Sequence, residues 1–159
     1  MIDNNLPNSS RVWIYQSDVK FTADQILLVE VRLKEFVDSW AAHGTDLNAA
    51  AQIIHNQFIV FFVDEQAQQA TGCSIDKSVA LIKSLQSETG LDLMNRMNIS
   101  FRDPETIEVA RMMDFQALIK EGKVTADTTV YNNLVQTKGE FVSSWQGPLK
   151  DSWHAQMLN

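Results

Sequence analysis

Bulky residues alternate from Arg11 to Ser17, with Trp13 and Tyr15 on one face and Val12 and Ile14 on the other, a period of two that predicts a β-strand. The period then changes. Thr22 opens a helix, with Gln25 three residues on to complete a capping box, and Ile26, Val29, Leu33, Phe36, Val37 and Trp40 recur at helical spacing up to a stop at Gly44. Residues 49–55 and 57–63 read as a hairpin turning near Asn56, which tolerates left-handed geometry. Val79, Ile82 and Leu85 mark a second helix over 76–89, closed by Gly90. Residues 97–102 and 106–111 form two more predicted strands around Asp103, Pro104 and Glu105. A short helix follows, capped by Asp114 and closed by Gly122, and Val130-Tyr131 and Leu134-Val135 read as short extended pieces.

Strand, helix, strand, strand, helix, strand is the ferredoxin-like order, so the expected fold is α+β. Its core, at 11–111, is a βαββαβ antiparallel sheet with two helices on one face. A fifth strand and a C-terminal extension, 112–159, complete a single domain over 11–159. In this expectation the first and third strands lie side by side and parallel at the centre of the sheet. Both are apolar on both faces, and two helices cover only one, which assigns the extension to the other. Residues 1–10, rich in Asn, Ser and Pro, are expected to be a disordered tail.

Composition narrows the function. A chain of 159 residues suits one core. Its longest apolar run, Phe58 to Val63, is far short of the roughly 20 residues that span a bilayer. Residues 1–7 are polar and acidic where a signal peptide would be basic and then apolar, and one cysteine excludes an intrachain disulfide. A cytoplasmic location is therefore expected. A net charge of −7 and scattered basic residues oppose nucleic-acid phosphates. The expected partner is a protein or a small molecule, with neither nucleic acid nor membrane, and a homodimer stays open.

The candidate chemistry centres on Cys73, placed where a strand hands over to a helix. Unpaired N–H groups at a helix start favour a thiolate, although a small thiol behind Gly72 is more simply packing. Ligands tend to sit beyond the carboxyl ends of parallel strands. That places Ser17, Asp18 and Lys20 beside Asp64, Glu65, Cys73, Ser74 and Asp76, and the predicted binding set is Asp18, Lys20, Asp64, Cys73, Ser74 and Asp76. Ser74 and Asp76 also read as helix-capping residues. His55, at the hairpin, lies about 20 Å from Cys73, and His43 is at the same far end, which leaves His154 as the histidine to pair with Cys73 in a catalytic dyad. Three dispersed histidines and one cysteine lack zinc-ligand spacing, so neither metal nor cofactor is expected.

Several pieces together resemble an uncharacterised family of small bacterial cytoplasmic proteins, many of whose members carry the label "ABC transporter ATPase". They are Arg11-Val12-Trp13-Ile14-Tyr15-Gln16, the Trp40 to Gly44 pattern, Val63-Asp64-Glu65, Gly72-Cys73-Ser74-Ile75-Asp76 with Ser78-Val79, and Ser152-Trp153-His154. The resemblance brings no activity or ligand with it. The label itself conflicts with the residues, because a P-loop needs a glycine-rich turn ending in Gly-Lys-Ser/Thr, and here Gly122-Lys123 is followed by Val124. Two readings follow: a non-catalytic binding or interaction module, and, as the alternative, a thiol-dependent enzyme or redox sensor using Cys73 and His154.

Overall fold

The structure, a computed structural model, describes residues 2, 4–41, 48–66 and 72–159. It is an α+β fold with two antiparallel sheets. Strand β1 (Arg11–Gln16) leads into helix α1 (Ala23–Ala41), whose start is a reciprocal cap. Thr22 N–H donates to Gln25 Oε1 at 2.9 Å, and Gln25 N–H donates to Thr22 Oγ1 at 3.2 Å. Strands β2 (Asn48–Ile54) and β3 (Phe58–Asp64) form the expected hairpin. Its turn needs left-handed backbone at both His55 and Asn56, each at φ 54°.

The first sheet has the order β1-β3-β2. Because α1 returns the chain to the end of the sheet where β1 began, β2 runs parallel to β1. The tight turn then sends β3 back between them. β1 therefore pairs with β3 antiparallel, Arg11 opposite Val63 and Gln16 opposite Phe58, and the expected parallel pairing does not form.

Helix α2 (Gly72–Thr89) begins four residues before the predicted start and ends at Gly90, φ 75°. A ferredoxin-like sheet would be completed by the next strand lining the free edge of β1. That does not happen. Strand β4 (Asn98–Asp103) instead founds a second sheet with β5 (Thr106–Arg111), β6 (Thr129–Tyr131) and β7 (Gln146–Pro148), in the order β5-β4-β6-β7. Apolar burial directs it there. Ile99 and Phe101 are buried with Phe115, Val124, Val130 and Leu149 in a core of their own.

Helix α3 (Met112–Lys120) supplies Phe115 to that core, and it starts at Arg111 without a side-chain cap, so Asp114 lies in its first turn and does not cap it. Leu134 and Val135 are not a strand, and the chain there turns toward helix α4 (Lys138–Ser144). Thr137 caps α4 by accepting from Glu140 N–H at 3.1 Å. The chain ends in two 3-10 turns, Leu149–Asp151 and Trp153–Leu158.

Trp13, Tyr15, Ile59, Phe61 and Val63 pack against α1 and α2. The opposite face, Val12, Ile14, Phe58, Val60 and Phe62, is covered by Tyr131, Val135, Phe141 and Trp145 of the C-terminal segment. Every residue of β3 from Phe58 to Val63 is buried as a result. Residues 4–10, expected as a disordered tail, lie against α4. The buried Lys138 donates through Nζ to Leu6 O at 2.6 Å and Asn4 O at 3.0 Å, and Gly139 N–H donates to Asn8 O at 2.9 Å. No described helix is long and apolar enough to cross a membrane.

Candidate functional site

Antiparallel pairing of β1 with β3 separates the residues expected to converge. Asp18 and Lys20 follow β1 at the hairpin end, where Ser17 N–H donates to Gln57 O and Phe21 N–H to Asn56 O, both at 2.8 Å. Asp18 is tied to the segment after α2, accepting from Asp92 N–H at 3.4 Å. Asp64 and Glu65 lie at the opposite end of the strands, beside Arg11, which reaches Glu65 Oε1 at 3.5 Å. The two ends are about 20 Å apart, the length of a six-residue strand. Asp64 accepts from Gln66 N–H at 3.0 Å, a local turn bond. Asp76 is exposed. Cys73 and Ser74 fall in the first turn of α2, and their side chains lie outside the described residues, as does His43.

His154 is 1% exposed. It stacks on Trp153 at 3.9 Å between ring centroids, and its Nδ1 is in contact with Ser152 Oγ. Burial lowers its pKa from 6.5 to about 4, so the imidazole is neutral at physiological pH.

A different set of residues forms a cavity. Between the two sheets, a space of about 140 Å³ is lined by Ile14, Tyr15, Gln16, Val79, Arg96, Asn133 and His154, among others. Its floor is a satisfied polar network. The Gln16 carboxamide accepts at Oε1 from Ser100 Oγ and from Asn133 Nδ2, the latter at 2.7 Å, and donates through Nε2 to Asn98 O at 2.8 Å. Asn133 Oδ1 accepts in turn from Trp145 Nε1 at 2.9 Å. With both ends of each amide engaged, their orientations are fixed, and the first sheet is joined to the second and to the C-terminal segment.

The cavity continues along β1 into a shallower groove that shares Ile14, Tyr15, Val79 and Arg96 and runs on past Arg11, Trp13, Gln136 and Thr137. Its wall is the strand edge that β4 leaves uncovered. Val12 N–H donates across this edge to Gln136 O at 2.9 Å, so by alternation Ile14 and Gln16 turn their main-chain groups to the same side. The short ladder stops there, because Gln136 N–H is taken by Glu140 Oε2 at 2.8 Å. Neither the N–H nor the C=O of Ile14 has a partner among the described residues.

Arg96 is exposed at this groove, and no ion pair holds it among the described residues. Tyr15 has a raised pKa, chiefly from burial, opposed by its hydrogen bond with Ser78 and by the charge of Arg96. Trp13 Nε1 donates to the same Ser78 hydroxyl at 3.3 Å.

The groove brings together the Arg96 guanidinium, the Arg11–Glu65 ion pair, unpartnered main-chain groups at Ile14 and apolar walls. Among the described residues no three His, Cys, Asp or Glu side chains gather as metal ligands would. Gln16 could have been found in the sequence, since a polar residue sharing a face with Val12 and Ile14 must find buried partners. Arg96, Ser100 and Asn133 carried no such signal. Comparison of the chain with protein-family models, curated proteins and solved structures finds no match.

Proposed function

We propose that the protein is a non-catalytic cytoplasmic binding module whose ligand, a small molecule or a segment of another protein, occupies the groove along β1. The observation that carries this reading is the pairing of an unpartnered main-chain edge at Ile14 with an unpaired guanidinium at Arg96, above a floor whose polar groups are already satisfied. Such a floor resists collapse and leaves the wall and rim groups available. The net charge of −7 supports a protein or small-molecule partner over nucleic acid. Membership of the small bacterial family with the ATPase label is proposed on the sequence pieces alone.

Titration of a fragment library into isotope-labelled protein tests the reading. Amide shifts should cluster at Ile14, Tyr15, Val79 and Arg96. Shifts confined to other surfaces would overturn it.

The alternative, thiol chemistry at Cys73, is favoured by one observation, the position of this residue in the first turn of α2. His154 as its base would act as a neutral imidazole whose Nδ1 is already engaged. Alkylation rates measured across pH separate the two readings. A thiol pKa near 8.5 or above supports packing, and one well below 7 supports the enzyme.

A further inference from the structure

We propose that the slot at the free edge of β1 takes the carboxyl-terminal end of an extended peptide, paired main chain to main chain with Ile14 and held at its carboxylate by Arg96. This deepens the binding reading by naming the ligand class.

The length of the slot selects a chain end. At one end, Gln136 already occupies the pairing lane by accepting from Val12 N–H. At the other, the Gln16 side chain reaches across to Asn98 O. The edge between them, from Val12 C=O to Gln16 N–H, spans about 13 Å at about 3.3 Å per residue. A strand running through would collide with Gln136 or with the start of β4. A terminus two or three residues deep would not.

Within that span Ile14 presents both a donor and an acceptor to the slot, the pair that an antiparallel neighbour engages. Val79 of α2 supplies an apolar side wall, and Leu134, 64% exposed, stands at the rim. Arg96 lines both the inner cavity and the outer groove and forms no ion pair among the described residues, and Glu65, the carboxylate that also lines the outer groove, is paired with Arg11, so a terminal carboxylate answers the charge of Arg96. A neutral loop segment would leave it unanswered.

The test uses the whole protein, immobilised, and a pool of random tetrapeptides prepared in two forms, with a free carboxyl terminus and with a terminal amide. Retained peptides are identified by mass spectrometry, and their affinities are then measured in solution. Free-acid peptides should be retained and amidated ones should bind about tenfold more weakly, a loss that Arg96→Gln should reproduce.

Ile14→Pro removes the outward N–H while leaving the bonds of Trp13 and Tyr15 to β3, and it should cost about tenfold in affinity. Should that variant unfold, methylation of single peptide nitrogens tests the reciprocal bond, from the peptide N–H to Ile14 C=O, on the unaltered protein. Only one or two alternate positions near the terminus should be sensitive.

Equal binding of acid and amide, or indifference to both Ile14→Pro and N-methylation, would overturn strand pairing of a chain end. Retention of no peptide in either form would overturn it too. If fragments still shift Ile14 and Arg96 in that case, the broader binding reading survives with a non-peptide ligand.

Discussion

Replacing Trp145 by alanine measures how much of the fold depends on the segment after Arg111. The indole is 4% exposed and lies at the centre of the layer that covers the first sheet. It stacks on Phe141 at 4.6 Å, meets Phe58 edge-on at 4.9 Å and Tyr131 at 4.9 Å, and lies parallel to His55 at 5.7 Å. Truncating such a residue costs about 3–5 kcal/mol in lost transfer energy and residual cavity. The bond from Nε1 to Asn133 Oδ1 is lost as well, and with it one support of the network at Gln16. A total of about 4–6 kcal/mol is expected, against a net stability of about 5–15 kcal/mol for a domain of this size. Urea unfolding followed by fluorescence and by circular dichroism reads it. With a slope of about 2 kcal/mol per molar, the midpoint should fall by about 2–3 M, or the protein should be unfolded at the outset. Trp145→Phe, which keeps a ring but not the donor, should lose about 1–2 kcal/mol, which separates packing from hydrogen bonding. A loss below about 1 kcal/mol for Trp145→Ala would refute the packing argument, and the C-terminal aromatics would then be a dispensable surface.

The low pKa of His154, about 4, makes stability fall as pH drops from 6.5 toward 4, because the unfolded chain takes up a proton that the folded imidazole refuses. The contribution is about 1–3 kcal/mol after allowance for solvent at the cavity, and it should be absent from His154→Gln when unfolding midpoints are compared across that window. Lys138→Met removes three bonds from Nζ, to Leu6 O, Asn4 O and Asn4 Oδ1, and should cost about 1.5–3 kcal/mol. Hydrogen exchange should then quicken over residues 4–10, and unchanged protection there would show that Lys138 does not hold this segment.

Local pattern alone determined most of the elements. Thr22 with Gln25, the apolar recurrence through Trp40, the turn at Asn56 and the stops at Gly90 and Gly122 all act within a few residues of themselves, so the sequence displays them directly. The demand for a cover was legible too, because Phe58 to Val63 has no polar face to offer water. The same local logic would have revealed α4, since Thr137 and Glu140 stand at capping-box spacing. The direction of β1 relative to β3 was implied as well, against the parallel pairing expected of it. A helical crossover brings β2 in parallel to β1 and the hairpin then reverses β3, so the predicted helix and turn together require the antiparallel pair. That single reversal moved Asp18 and Lys20 to one end of the sheet and left Asp64 and the start of α2 at the other. The partner of β4 was hidden, because its apolar residues could be buried on the first sheet or in a core of their own, and only the combined packing of Phe115, Val130 and Leu149 decides between them. The groove at Ile14 and Arg96 follows from that choice. It is an edge left open by a strand that found a better place to bury itself, and its residues are neighbours only in the folded chain.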